Sequence, residues 1–382
     1  MNLLNLNLRV TPLVATASTV LLLACGSPTE TPEPTLKSTF AEDFLIGAAI
    51  NLRQVEKRDS IAEPIIARHF NTLTAENLMK WVNIHPEEDV FNWGPADAFV
   101  ELGEELDAFM VGHTLVWHQQ IPKTVFEDAE GRFISKDRLL ARMQRHIEEV
   151  VGRYKGRVHA WDVLNEALND DGTFRTSNWY TVTGTDYISM AFKTAARVDP
   201  NAELYYNDYN LWKPEKRDAA IKLCQELQKS GIRVDGIGMQ GHYSMVSPDP
   251  EQIRASILAI HEAGFKVMVT ELDIEVLPRP QEKPGADIDV RFDEDMKYNP
   301  YPDGLPEEVY LRLADRYEEI FRVFYEERDK IHRITFWGVT DANSWLNNWP
   351  IRRRTNYPLL FDRQGNPKTE ILERIYALKQ QP

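Results

Sequence analysis

The sequence predicts one (β/α)8 barrel behind an N-terminal targeting segment. Two observations predict it. From Phe44 onward, short β-branched or aromatic runs alternate with stretches of helical periodicity, which is the pattern of βα units around a parallel sheet. Eight such runs fall within roughly 340 residues, which suits a closed barrel better than a doubly wound sheet. With 43% hydrophobic and 10% aromatic residues, the chain can bury a large core. No apolar run reaches the roughly 18 residues a mature membrane-spanning helix needs.

The first residues lie outside this fold. Met1 to Arg9 form a weakly basic start, and Thr11 to Ala24 an apolar stretch of signal-peptide length. The stretch ends in Leu22-Leu23-Ala24-Cys25, which resembles the bacterial lipobox. That resemblance implies a lipoprotein signal peptide over 1–24, a lipid on Cys25, and a chain anchored in the bacterial cell envelope, at the outer membrane or cell surface rather than the inner membrane. The alternative is an ordinary signal peptide with a chance cysteine. Residues 25–36 are rich in Pro, Thr and Glu, cannot bury a core, and read as a tether. The barrel domain is assigned to 37–382.

The eight candidate strands are Phe44–Ala49, Phe70–Thr74, Phe109–Gly112, Val158–Val163, Glu203–Tyr206, Val234–Met239, Lys266–Thr270 and Arg333–Val339. Between them, Leu139 to Tyr154 carries apolar residues at helical spacing. A second helix starts at Pro214 and stops at Gly231, and a third carries Ile253, Ile257 and Ile260 before Gly264. Cys224 sits on the apolar face of the second and reads as core. With Cys25 it makes only two cysteines, too few for a disulfide framework or a thiolate zinc site. The net charge is 44 − 59 = −15, spread along the chain, which argues against a nucleic-acid surface. No cofactor or metal is implied, and the chain is expected to be monomeric.

In a (β/α)8 barrel the chemistry sits at the C-terminal ends of the strands. Here nearly every such end carries a carboxylate, amide or imidazole, interleaved with indoles. Amides and carboxylates hydrogen-bond sugar hydroxyls, and flat aromatic faces pack against pyranose C–H faces. Glu166 and Glu271 stand out, 271 − 166 = 105 residues apart and expected on opposite sides of the ring. Glycoside hydrolysis needs two carboxyl groups flanking the scissile bond. Either glutamate alone could instead be an ion-pair partner in the barrel rim.

Six segments make the resemblance specific. Phe70-Asn-Thr-Leu-Thr-Ala-Glu-Asn-Leu-Met-Lys-Trp81, Gly112-His-Thr-Leu-Val-Trp-His118, Trp161-Asp-Val-Leu-Asn-Glu-Ala167, Gly238-Met-Gln-Gly-His242, Val269-Thr-Glu-Leu-Asp273 and Thr335-Phe-Trp-Gly-Val-Thr-Asp341 resemble the signature segments of glycoside hydrolase family 10, the endo-β-1,4-xylanases. They occur in the family's order, and the resemblance spans about Phe44 to Ile375.

The resemblance implies a retaining endo-xylanase acting on xylan and xylo-oligosaccharides. Glu166 would be the general acid/base, Glu271 the nucleophile, and Asn165 a ligand of the sugar 2-hydroxyl. His242 would orient Glu271 and keep it ionised, with Gln240 beside the nucleophile. Glu76, Asn77, Lys80, His113, Trp117 and Gln120 would line the glycone side, although a Glu-Lys pair four apart is also the pattern of a solvated helix. Asn207 and Tyr209 would reach toward the aglycone side. Trp337 and Trp345 would wall the glycone subsites and crowd C5 against a hydroxymethyl group.

The sequence departs from the family pattern in two places. Gln119-Gln-Ile-Pro-Lys123 follows His118 where the family often has Pro-x-Trp. Leu277 to Leu305 is a long Pro- and Asp-rich insertion, expected to overhang the nucleophile side of the cleft. Gly236-Ile-Gly-Met-Gln-Gly241 fits a dinucleotide fingerprint, but Pro248 and Pro250 follow where a helix should open. His113 and His118 have no H-E-x-x-H context for zinc. Two rival readings stay open: a retaining cellulase or mannanase, and a noncatalytic lipid-anchored glycan-binding protein.

Overall fold

The computed structural model describes residues 33–280 and 291–380. Its strands are β1 (Leu45–Ile50), β2 (Thr72–Ala75), β3 (Phe109–Val116), β4 (Ala160–Asn165), β5 (Glu203–Asp208), β6 (Gly236–Met239), β7 (His242–Ser244), β8 (Lys266–Glu275) and β9 (Ile331–Phe336). Every pairing is parallel. β1 pairs with both β2 and β9, and β6 pairs with β8, which closes the ring. β6 and β7 occupy one barrel position, because both lie against β8, with Met239 opposite Val269 and His242 opposite Asp273. The closed eight-position parallel barrel is the (β/α)8 fold expected.

The break between β6 and β7 has a local cause. Gly241 takes φ of +84°, and a Cβ there would lie 2.9 Å from Val269 Cγ1. Only glycine adopts that backbone without cost against the neighbouring strand.

Six strands end later than their apolar runs suggest, β3 and β8 by the most. β3 continues to Val116, so His113 lies inside it, and β8 continues to Glu275, so Glu271 and Asp273 lie inside it. The sequence reading ends these two strands just before His113 and Glu271. In the barrel those residues are buried with hydrogen-bonding partners, so the ladder need not end there.

The helices follow the patterning closely. Lys136–Arg153 starts after Ser135, whose hydroxyl accepts from the Arg138 amide. Pro214–Lys229 has Pro214 in its first turn and Gly231 beyond its end at φ +73°. Pro250–Glu262 opens with a reciprocal cap between Asp249 and Gln252. Their apolar faces, including Ile147, Cys224 and Ile257, are fully buried against the barrel wall. Each large aliphatic side chain so buried contributes about 1.5–3 kcal/mol. Inside the barrel, Val111, Ala160, Tyr205 and Met268 pack together, with the Arg333 guanidinium 4.7 Å from the Tyr205 ring centre.

The folded body starts earlier than the 37–382 assignment. Thr35 caps the helix Leu36–Thr39 through a reciprocal bond with Ser38, and Leu36 is fully buried. The tether assigned to 25–36 therefore loses its last two residues to the barrel domain. The segment assigned as signal peptide, residues 1–24, and Cys25 lie outside the described residues, as do residues 281–290 of the insertion. Where described, the insertion leans on the loop after β9: the Phe292 amide donates to the Pro350 carbonyl at 3.1 Å, and Asn299 accepts from the Thr355 amide at 2.9 Å. Among the described residues no helix is long and apolar enough to cross a membrane.

Candidate active site

A cavity of about 270 Å³ opens at the C-terminal mouth of the barrel. Glu166, Glu271, Asn165, Gln240 and His242 form part of its lining. Glu76, Asn77, Lys80, His113, Trp117, Gln120, Trp337 and Trp345 form most of the rest. Of the catalytic and sugar-binding residues expected from the sequence, Asn207 and Tyr209 do not line it.

Glu166 follows Asn165 at the end of β4 and takes φ of +57°, a conformation uncommon for a side chain with a Cβ. Two bonds hold it there. Its amide donates to the Asn207 carbonyl at 2.9 Å, and its carbonyl accepts from Arg175 Nε at 3.0 Å. Its carboxyl accepts from Trp117 Nε1 and from Gln240 Nε2, each at 2.9 Å. Burial raises the pKa of Glu166, and the nearby Asp208 charge adds to the rise. The Gln240 and Trp117 bonds and the Arg175 charge only partly offset it.

Glu271 lies in β8 and is treated oppositely. Burial alone would raise its pKa, but a hydrogen bond from His242 and the electrostatic influence of His113, His242 and Lys80 bring it below the usual carboxylate value. Its Oε2 is 3.3 Å from His242 Nε2, and its Oε1 accepts from Asn207 Nδ2 at 2.8 Å. His242 Nδ1 in turn makes an ion pair with Asp273 Oδ1 at 3.0 Å. Burial disfavours the imidazolium, yet Asp273 and Glu271 together raise the His242 pKa to about 10. Trp345 Nε1 fixes Asp273 through a 2.7 Å bond to Oδ2.

A polar chain runs along one wall. Lys80 Nζ donates to Asn77 Oδ1 at 2.9 Å, and Asn77 Nδ2 donates to Glu76 Oε1 at 3.0 Å. The Lys80 ammonium lies 4.9 Å from the Trp117 ring centre and 5.7 Å from that of Trp337. His113 Nδ1 is 2.9 Å from Asp162 Oδ2, which is buried inside the barrel.

The structure corrects several expectations. The alternative weighed for Glu76 and Lys80, a solvated helix pair, falls: residues 76–80 form a turn, and both residues line the cavity, with Lys80 buried. Gln240 supports Glu166 with its side chain rather than Glu271, which it meets only through its backbone carbonyl at 2.6 Å. Asn207 does not reach toward an aglycone. It is fully buried and gives its amide protons to Glu271 and, at 3.0 Å, to Asn165 Oδ1. Glu166 and Glu271 do not face each other from opposite sides of the ring: only the β5 and β6/β7 positions separate them, and Asn207, Asn165 and Gln240 connect them. Tyr209 lines a neighbouring cavity of about 850 Å³, bounded also by Leu277–Pro280 of the insertion and sharing His242 with the first.

The sequence reading passes over Asp162, Asp273 and Arg175. Asp273 carries a usable signal, because in a strand residues two apart share a face and Asp273 is two after Glu271. Asp162 and Arg175 carry none, since only folding brings them to His113 and Glu166. Arg291, Asn348 and Trp349 also line the cavity, the first from the insertion itself.

Two buried carboxyl groups whose pKa values are pushed in opposite directions within one cavity form a proton donor beside a persistent anion. Among the described residues no group of three or more His, Cys, Asp or Glu could hold a metal ion.

The profile of glycosyl hydrolase family 10 matches residues 35–375. Endo-1,4-beta-xylanase A of Xylanibacter ruminicola is 42% identical over 343 residues, covering 90% of this chain and 93% of that protein. A solved endoxylanase of the same family, retrieved from a sugarcane soil metagenome, superimposes with a TM-score of 0.86 at 44% identity, over 90% of this chain and 99% of that one. A variant solved in complex with xylotriose superimposes with a TM-score of 0.80 at 34% identity, over 90% and 99%. With the barrel, the paired carboxyls and these matches all in agreement, the chain belongs to glycosyl hydrolase family 10.

Proposed function

We propose that this protein is an endo-1,4-β-xylanase that cleaves xylan and xylo-oligosaccharides with retention of anomeric configuration. The observation that carries the reading is the opposite perturbation of the two glutamates: Glu166 is biased toward its protonated form and Glu271 toward its anion. Glu166 gives a proton to the leaving glycosidic oxygen while Glu271 attacks the anomeric carbon and forms a xylosyl-enzyme. Glu166, now ionised, takes a proton from water as that water displaces Glu271. Asn207 and His242 hold the attacking oxygens, and Trp337 and Trp345 wall the sugar site.

The roles are separable with a nitrophenyl xylobioside, whose leaving group departs without protonation. Glu166→Ala is expected to release a rapid burst of nitrophenol and then turn over roughly a hundred- to ten-thousandfold more slowly. Azide should restore the slow phase and yield a β-xylosyl azide. Glu271→Ala should give no burst. A burst in the Glu271 variant alone would reverse the roles. Reducing-sugar release from xylan, cellulose and mannan tests the substrate class against the two rival readings.

Residues 1–24 are proposed to be a lipoprotein signal peptide, leaving Cys25 lipidated and the monomeric enzyme tethered to the cell envelope. The reading is supported by the Leu22-Leu23-Ala24-Cys25 sequence and the Pro-rich stretch behind it. A diacylglyceryl, N-acylated cysteine provides the two or more chains stable attachment requires. Full-length protein should partition into detergent, whereas Cys25→Ser should not. Equal partitioning would rule the anchor out.

A further inference from the structure

A buried charge pair beside Glu166 has no part in the mechanism so far. Asp208 ends β5, and Lys216 lies in the first turn of the helix Pro214–Lys229. Both side chains are fully buried, with Lys216 Nζ 2.8 Å from Asp208 Oδ1. The same carboxylate accepts from the Tyr209 amide at 2.9 Å and from the Tyr206 hydroxyl. Burial raises the Asp208 pKa above the usual carboxylate value, and the Lys216 ammonium, the Tyr206 hydroxyl and the Arg175 charge pull it back toward the ionised form.

This pair is built into the backbone that carries the acid/base. The Glu166 amide bonds the carbonyl of Asn207, the residue before Asp208. Arg175 joins the Glu166 carbonyl to the Tyr209 hydroxyl, the latter at 2.7 Å. Lys216 Nζ also sits 3.6 Å from the Tyr209 ring centre.

We infer that Asp208 is the fixed anion that keeps Glu166 protonated for its role as proton donor, and that Lys216 is the positioning residue that holds this anion in the interior. The inference rests on the reading of Glu166 as acid/base. A like charge nearby disfavours ionisation, and in a dry interior it acts with little screening. The groups around Glu166 leave Asp208 this role. Arg175, after β4, and Lys80, after β2, are cations and act the other way. So do the neutral donors Trp117 and Gln240. Across the cavity, Glu271 is the nucleophile and is matched by His242. Burial and then Asp208 are the two largest influences raising the Glu166 pKa.

A purely structural role for the pair predicts something different. Replacing a buried ion pair by well-packed neutral side chains is often harmless or stabilising, and such a role would leave the titration of Glu166 untouched. Asp208→Asn keeps the shape and removes the charge. Because it leaves the buried Lys216 ammonium with only the half-buried Asp170 carboxylate, 3.4 Å away, the double variant Asp208→Asn with Lys216→Met is needed beside it as a neutral reference.

The experiment follows Glu166 directly by ¹³C NMR of carboxyl-labelled enzyme, assigned with Glu166→Gln, and measures kcat/KM against pH on xylo-oligosaccharides. Both folded variants are expected to titrate Glu166 at lower pH than wild type. The high-pH limb of kcat/KM, which reports the required proton on the free enzyme, should move down with it. The low-pH limb should stay in place. An unchanged Glu166 titration in both folded variants overturns the inference. A lowered titration with an unmoved limb upholds the electrostatic link and removes Glu166 from the acid/base role instead.

Discussion

His242 Nε2 stands 3.3 Å from Glu271 Oε2, and it does so as a cation because Asp273 balances the far side of the imidazole at 3.0 Å. The nucleophile is thus ionised by a neighbour that is itself held charged from behind.

His242→Gln is expected to shift the low-pH limb of kcat/KM upward. Glu271 works as an anion and its pKa is lowered chiefly by His242 against the effect of burial. Losing that cation raises the pKa, so activity disappears at a higher pH as the solution is acidified. A hydrogen bond to a charged group contributes about 1.5–3 kcal/mol, so the rate at the optimum should fall roughly tenfold to a hundredfold. A pH profile with its acid limb unmoved would refute the role.

Asn207→Ala should lower kcat by a similar factor and leave KM nearly unchanged. Its amide touches Glu271 and Asn165 and does not line the cavity. A rise in KM with kcat preserved would place Asn207 on the substrate instead.

Trp345 has two functions that two substitutions separate. Its indole N–H bonds Asp273, and its ring stacks on Trp349 with centres 4.5 Å apart. Trp345→Phe keeps an aromatic wall but loses the bond, so it should weaken the His242 cation and move the acid limb up. Trp345→Ala should also raise the ratio of glucoside to xyloside kcat/KM, because space opens for a hydroxymethyl group. An unchanged ratio in Trp345→Ala would remove the steric role.

Acid should loosen the wall behind Lys80 through a histidine pair. His85 Nε2 is 3.0 Å from the Glu88 carbonyl, which only accepts, so that nitrogen carries the proton. His85 Nδ1 then accepts from His146 Nδ1 at 3.1 Å, and the buried His146 Nε2 is left bare, with the ring stacked on Trp81 at 3.7 Å. Burial lowers both pKa values, aided at His146 by His85 and at His85 by Arg145. The sign follows from that direction. Stability is complete above the unfolded histidine value of about 6.5 and is lost as pH falls below it. The Tm of wild type should therefore drop more steeply below that pH than the Tm of His85→Phe with His146→Phe. Equal slopes would refute the coupling.

The sequence by itself determined the barrel, the order of its strands, and nearly every side chain in the cavity. It could do so because strand and helix periodicities are local, and because motifs such as Leu164-Asn-Glu166 and Thr270-Glu271 keep their chemistry within a few residues. It also assigned Cys224 to the core from helical spacing alone, where it is fully buried. What only the tertiary structure decided is which of these residues touch. Gln240 adjoins Glu271 in the barrel order yet bonds Glu166, and Asn207 turns to Glu271 rather than to an aglycone, because ring closure sets neighbours across strands that sequence distance does not encode. The division of proton affinity between two chemically identical glutamates has the same origin. Asp208, His242 and Lys80 act through space, and their distances from each carboxyl group exist only once the barrel has closed.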